Sequence, residues 1–331
     1  MVKESKRGAF FFKPLMNFDR KALTLALLAA VWLVASGCSA FPLDEKVQAG
    51  SAVSQDFYNT SLHEGMLAIR YIHLKSDDEP GDAILISTPD GEHHYLIDAG
   101  VPESGPQIDE ALNRLDIQRL HGAINTHPHI DHIGGFTTLL RTKEIGKFYH
   151  NGISHTTKTY SKVQRLLDSK GVAAQPLIEG DVISLSPDVA IEVLSPPVDT
   201  FAEVDEWGSE QHNNHSLVLM LRHGYNRILL TGDLYKGMEY EMIERYGAEL
   251  KADMMDAPHH GEETSSSESL IRTVNPQIAV FSANTLQSLN VLNRYEKEGI
   301  KVYTTGNNGN LLFVSDGRTI RPYAEYEHAS N

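Results

Sequence analysis

A mixed α/β fold in a single domain, residues 66–325, is what the sequence predicts, and three observations carry that expectation. Short strand-like apolar runs occur in both halves of the chain, and helix-like periodicities fall between them. Residues with metal-ligand chemistry stand at the ends of those runs, from His127 to His132 in the first half and at Asp233 and His259 in the second. One site drawn from both halves needs one folded unit, which excludes two independent domains. At 331 residues and 41% hydrophobic content, the chain has ample material for a core of this size.

Residues 1–38 stand apart from that domain. Lys3, Lys6, Arg7, Lys13, Arg20 and Lys21 precede a charge-free apolar run from Ala22 to Ala35, followed by Ser36, Gly37 and Cys38. This is the order of a secretory signal, and the run is shorter than the ~20 residues that a membrane-spanning helix prefers. The segment Leu33 to Cys38 resembles a bacterial lipobox, in which the cysteine is lipidated and becomes the new N-terminus; Ala35 departs from the leucine usual three residues before the cysteine. A plain signal peptide and an uncleaved N-terminal anchor are the alternatives. All three put the rest of the chain outside the cytoplasmic membrane, in the bacterial cell envelope or secreted. Cys38 is the only cysteine, so no internal disulfide is available there. This prefix carries six basic and two acidic residues, so the remainder is more acidic still than the −15 of the whole chain. Such a body is poorly suited to gripping long nucleic acid through its phosphates, which argues against a processive nuclease but not against a small phosphate ester.

Residues 39–65, rich in Ser, Ala, Gln, Asn and Gly with weak periodicity, read as a flexible tether. From Met66 the pattern changes. Met66 to Leu74 and Ala83 to Ser87 are strand-like, and the turn Pro89-Asp90-Gly91 leads to the strand Tyr95 to Gly100. Pro106 to Leu115 has helix character, with proline at its first position and Ile108, Leu112 and Leu115 on one side. A strand over His121 to Thr126 then delivers Thr-His-Pro-His-Ile-Asp-His-Ile-Gly-Gly, residues 126–135.

His127, His129, Asp131 and His132 fall within six residues of that stretch. Imidazole and carboxylate together suit Zn²⁺, Mn²⁺ or Fe. Pro128 and the tight spacing argue for an irregular loop rather than a helix, so His127 and His129 can face one way while Asp131 and His132 face another, serving two adjacent ions. Downstream, Phe136 to Arg141 and Thr156 to Lys170 are helix-like, the latter stopped by Gly171; strands follow at Val182 to Leu185 and Ala190 to Leu194. Pro196 to Glu210 reads as a long exposed loop ending at His212-Asn213-Asn214-His215-Ser216 before the strand Leu217 to Leu221. Arg227 to Thr231 is a strand leading to Gly232 and Asp233, a carboxylate placed to bridge two cations. After a helix over Met238 to Tyr246, Ala252 to Gly261 forms a short strand ending in His259 and His260. Segments 277–282, 289–298, 301–305 and 310–315 read strand, helix, strand, strand.

The stretch 126–135 resembles the His-x-His-x-Asp-His signature of the metallo-β-lactamase fold superfamily. That resemblance implies a four-layer αββα sandwich with metals at the edge where strand ends of two sheets converge. Gly81 to Ile86, Leu96 to Gly100 and Asn213 to Leu219 are similar to a narrower branch, the extracytoplasmic hydrolase domain of the ComEC competence proteins and its stand-alone relatives. Carried over residue by residue, the resemblance implies that Asp98 supports the metal loop without being a ligand and that Asp233 bridges. It implies that His127 and His129 bind one ion and Asp131, His132 and His259 the other, with His260 free to contact a substrate phosphate. His212 or His215 could supply a further ligand found in most relatives. Residues 284–288 lack the histidine and proline usual in the branch, so substrate preference is expected to differ from the nuclease type.

The expected chemistry is two-ion hydrolysis, with zinc the first choice of divalent ion and manganese the second, and with Asp131 also able to orient the attacking water. A phosphodiester or phosphate ester substrate, including nucleic-acid fragments or an envelope component, follows from the resemblance. A hydrolase of lactones or β-lactams, or a non-catalytic metal-binding lipoprotein, are the rival readings.

Overall fold

The computed structural model describes residues 53–76, 81–198 and 208–326, all within one compact unit. The signal segment and most of the expected tether lie outside the described residues. Strands are numbered in chain order: β1 (Leu67–Tyr71), β2 (Ile84–Ser87), β3 (His94–Ile97), β4 (Arg119–Leu120), β5 (Gly122–Asn125), β6 (Glu144–Ile145), β7 (Lys147–His150) and β8 (Ala173–Pro176) come first. Then follow β9 (Val182–Ser186), β10 (Val189–Ser195), β11 (Val218–His223), β12 (Asn226–Leu230), β13 (Met254–Asp256), β14 (Ile278–Phe281), β15 (Lys301–Thr304), β16 (Leu311–Ser315) and β17 (Ile320–Ala324).

Two large sheets result, one in the order β17-β16-β1-β2-β3-β5-β7-β8 and the other β15-β14-β13-β12-β11-β10-β9. Because side chains alternate across a strand, β1 sends Leu67, Ile69 and Tyr71 between the sheets, where they meet Leu219, Leu221, Ile228 and Leu230 of the second sheet. The intervening Ala68 faces the other way, into a layer with Ile108, Leu112, Phe136, Leu139 and Val163 from three helices. On the far face of the second sheet, Val218, Met220 and Leu229 pack against Met242, Leu270 and Val291. The layers run helix, sheet, sheet, helix, as the αββα expectation requires.

Helices end where their sequences say they should. Lys158–Lys170 starts after Thr157, whose hydroxyl accepts from the Tyr160 amide at 3.2 Å, and stops at Gly171 with φ 65°. Besides the short β4 and β6 and the helix Ser209–Asn214, four features depart from the sequence reading. Residues 53–58 of the expected tether form a helix, followed by a 3₁₀ turn over Thr60–His63, and Phe57 is buried in the core. Strands β7, β8 and β17 are the other three. Edge strands β8 and β17 contain Pro176 and Pro322; β8 is mostly exposed and β17 mostly part-buried, so neither has a clear hydrophobic alternation.

Candidate metal centre

The centre forms where β3 and β5 of the first sheet and β12 and β13 of the second all end. Strands β3 and β5 are parallel with Ile97 opposite Ile124, so Asp98 follows one and Thr126 the other side by side. Strands β12 and β13 are likewise parallel, which sets Asp233 beside the turn carrying His259 and His260.

The loop is irregular through His129, as Pro128 demands, and then closes into one helical turn, Ile130–Ile133. That turn sets Asp131 and His132 in a different ligand group from His129, while the His127 and His132 rings stay 4.1 Å apart. Three groups of ligand atoms each fit within 4.8 Å: Asp131, His132, Asp233 and His260; His127, His129 and Asp233; and Asp82, Asp98 and His132. Asp233 belongs to the first two. Its Oδ2 lies 3.6 Å from His127 Nε2 and 3.3 Å from His132 Nε2, while Oδ1 lies 3.5 Å from His260 Nε2. His127 Nε2 is 3.0 Å from His129 Nδ1.

Most of these separations are long for hydrogen bonds but right for neighbours on a common ion, since bonds of ~2.1 Å at a tetrahedral angle put ligand atoms ~3.4 Å apart. His132 Nε2, Asp233 Oδ1 and His260 Nε2 are also buried with no hydrogen-bond partner among the described residues. Buried polar groups are rarely orphaned, so convergent orphans of this chemistry fit a divalent cation. The third group is different: Asp98 is already saturated. It accepts from the Thr126 amide at 2.8 Å, the Thr126 hydroxyl at 2.6 Å, Asn125 Nδ2 at 3.0 Å and His132 Nδ1 at 2.8 Å. This geometry suits support of the loop rather than ligation, and it aims His132 Nε2 inward.

Electrostatics of the protein groups tell the same story. Burial alone would lower the His132 pKa, yet Asp233, Asp131 and Asp98 around it hold it well above the ordinary imidazole value. Burial raises and His132 and His260 lower the Asp233 carboxyl, which ends well below the usual range. A largely buried site with this much carboxylate attracts positive charge.

Of the two C-terminal histidines, His260 rather than His259, which the resemblance implied, joins the cluster of Asp131, His132 and Asp233. Both have left-handed backbone, φ 52° at His259 and 55° at His260, and Gly261 follows at φ 84°. A side chain on Gly261 would sit 2.2 Å from the Phe281 ring, so only glycine closes this turn. The twist carries His260 inward to Asp131, His132 and Asp233. His259 stays at the rim, its Nε2 3.8 Å from Asp233 Oδ2 and its Nδ1 2.6 Å from the Thr264 hydroxyl. A strand-end pattern cannot show which of two adjacent histidines a left-handed turn buries.

His212 lies beside the cluster, its ring 5.5 Å from that of His129 and 4.7 Å from His155, a residue the sequence reading did not single out. His215 instead turns its Nδ1 to the Gln211 carbonyl at 2.6 Å. Asn213 Nδ2, 3.5 Å from His259 Nε2, also stands at the rim.

A sandwich with these clusters at its strand ends defines a class: residues 76–284 match the model of the metallo-beta-lactamase superfamily, and the chain belongs to that family. Among individual proteins it is similar to "ComE operon protein 3" of Bacillus subtilis, with 28% identity over 271 residues, 75% of this chain and 34% of that one. It is likewise 28% identical over 243 residues to "Competence protein ComA" of Neisseria gonorrhoeae, covering 72% of this chain and 31% of the relative. The chain thus spans about a third of the length of these two relatives. Among solved structures, Zn(2+)-bound PqqB from Methylobacterium extorquens superposes with a TM-score of 0.46 at 14% identity, over 72% of this chain and 98% of that one.

Proposed function

We propose that the chain is an extracytoplasmic hydrolase of phosphodiester or phosphate ester bonds that works with two divalent ions, zinc or manganese. The supporting observation is the pair of clusters sharing Asp233, one of which gathers the buried, partnerless His132 Nε2, Asp233 Oδ1 and His260 Nε2. His127, His129 and Asp233 would hold one ion, and Asp131, His132, His260 and Asp233 the other. Bound there, the ions would acidify water and offset the charge that develops on a phosphoryl group.

The chain's own groups supply positioning. Asp233 fixes the spacing of the two clusters, and Asp98 keeps the His132 ring and the Thr126 backbone in place. Asp131, partly open to solvent, is placed to orient the attacking water. His259, held by Thr264 at the rim, takes the role of substrate contact. Asn213 and Tyr235 stand against it and narrow its choice of rotamer. Likeness to the competence proteins favours a phosphodiester over a carbonyl substrate.

The hydrolase domain of this reading covers residues 66–325, with the helix and turn at 53–63 added to it. Among the described residues no helix is long and apolar enough to cross a membrane. In this reading envelope attachment is assigned to the first 38 residues, through a lipid on Cys38 or an uncleaved anchor, and with lipidation Cys38→Ala should abolish labelling by a fatty-acid analogue.

Activity is tested with untagged protein, its metal content measured, against bis(p-nitrophenyl) phosphate and a panel of lactones. Metal-dependent cleavage of the phosphodiester is the expected result. Hydrolysis of lactones alone would replace the substrate class, and two bound ions with no turnover on either panel would leave a metal-binding lipoprotein.

A further inference from the structure

The Gly81-Asp82 pair opens the second strand of the first sheet and has no part in the chemistry above, yet Asp82 is almost wholly buried. Its Oδ1 has no hydrogen-bond partner among the described residues, and His260 Nδ1 lies 3.6 Å away from it. The backbone here is clamped. A side chain on Gly81, at φ 66°, would lie 1.5 Å from the Asp131 carbonyl oxygen, and the Asp82 carbonyl accepts from the Gly100 amide at 2.9 Å. A glycine is thus required for the chain to press against the metal loop at the point where the next residue turns its carboxylate to His260.

We propose that Asp82 is a positioning residue for His260, fixing the ring so that Nε2 faces the ion shared with Asp131, His132 and Asp233. The inference rests on the ion-binding reading of that cluster. Its physical logic is a repeat of one seen a few ångströms away. Asp98 accepts a hydrogen bond from His132 Nδ1 and so turns Nε2 toward the cluster; Asp82 stands at the same atom of His260. A carboxylate there selects the tautomer with the proton on Nδ1, makes Nε2 the free lone pair and strengthens it as a donor to a cation. Ligation by Asp82 itself is the less economical account. The group that would include it needs Asp98, whose oxygens already accept four hydrogen bonds.

The connection also crosses the molecule. Asp82 belongs to the first sheet and His260 follows β13 of the second, so the orientation of a second-sheet ligand is set by a first-sheet side chain.

The test uses the full chain loaded with Zn²⁺ and a chromophoric chelator that reports ion release. Asp82→Asn keeps size and burial but offers no anionic acceptor, and should weaken retention of one of the two ions by about 10–100-fold, leaving the other unchanged. Unfolding of the ion-free protein should move little. The decisive comparison adds the same change to His260→Ala: if Asp82 acts through His260, the second substitution costs nothing further. Equal loss with and without His260 overturns the proposal, as does wild-type ion retention in Asp82→Asn. A wild-type protein that binds no ions would instead overturn the underlying reading. Should the amide variant not fold, Asp82→Ser is measured by the same criteria.

Discussion

The two ion positions proposed around Asp233 are built to different standards. On one side, His132 and His260 each have a buried carboxylate at Nδ1, Asp98 at 2.8 Å and Asp82 at 3.6 Å. On the other, His127 Nδ1 meets the Thr126 hydroxyl at 3.1 Å and His129 Nε2 the Ser209 hydroxyl at 3.3 Å. Hydroxyls orient a ring but add no charge. Asp131 widens the gap, since it contributes an anion to the first side only. Thus one position is rigid, anionic and rich in ligands; its neighbour is neutral apart from the shared Asp233 and borders His155, His212 and the helix Ser209–Asn214. The lesson is one of division of labour: with ions bound as proposed, the first position would hold its ion more tightly than the second.

The largest effect should come from removing what the two positions share. Asp233→Asn, nearly isosteric, should strip ions from both and lower kcat by at least about a hundredfold while the fold survives; a variant that kept two ions and a near-normal rate would end the comparison, because there would be no shared bridge. Next is the contrast between adjacent histidines. His260→Ala should leave one ion per chain, whereas His259→Ala should keep two and act mainly on KM, and the reverse pattern in metal analysis would return His259 to the ligand set. Smallest is Ser209→Ala. One lost hydrogen bond of ~1 kcal/mol should weaken the second position by no more than about fivefold, and a larger change in ion titration would show that position to be more tightly organised than its neutral bracing implies.

Much of this was legible from residue types in order. The dense run from His127 to His132 announces ligands because such spacing has few other uses, Pro128 rules out a continuous helix through it, and apolar runs before Asp98, Thr126 and Asp233 mark strand ends. Four helix–sheet layers came with the resemblance these motifs carry. What was not legible depended on handedness or on partners distant in sequence. Nothing in Pro258-His259-His260-Gly261 tells which histidine turns inward; that is settled by three consecutive left-handed residues packed on Phe281. Asp82 looks like any turn aspartate until β13 brings His260 beside it. The helix Val53–Tyr58 hides in a polar segment; its buried Phe57, with the carbonyl taken by Arg70 Nε at 2.9 Å, gives by itself no periodicity to detect. His155 reaches the neighbourhood of His129 from a loop, and no local pattern points there.

One feature of the layout bears on how long the protein lasts rather than on what it cleaves. His127, His129, Asp131 and His132 hang from the first sheet, Asp233 and His260 from the second, so an ion held between them fastens the two slabs of the sandwich together. Any species that binds only the folded chain adds RT ln(1 + [L]/Kd) to its stability, about 2.7 kcal/mol when free ion stands a hundredfold above Kd. That is a sizeable part of the 5–15 kcal/mol that typically separates folded from unfolded states. At the extracytoplasmic location proposed above, the lifetime of such a molecule against proteases would rise and fall with the supply of free ion.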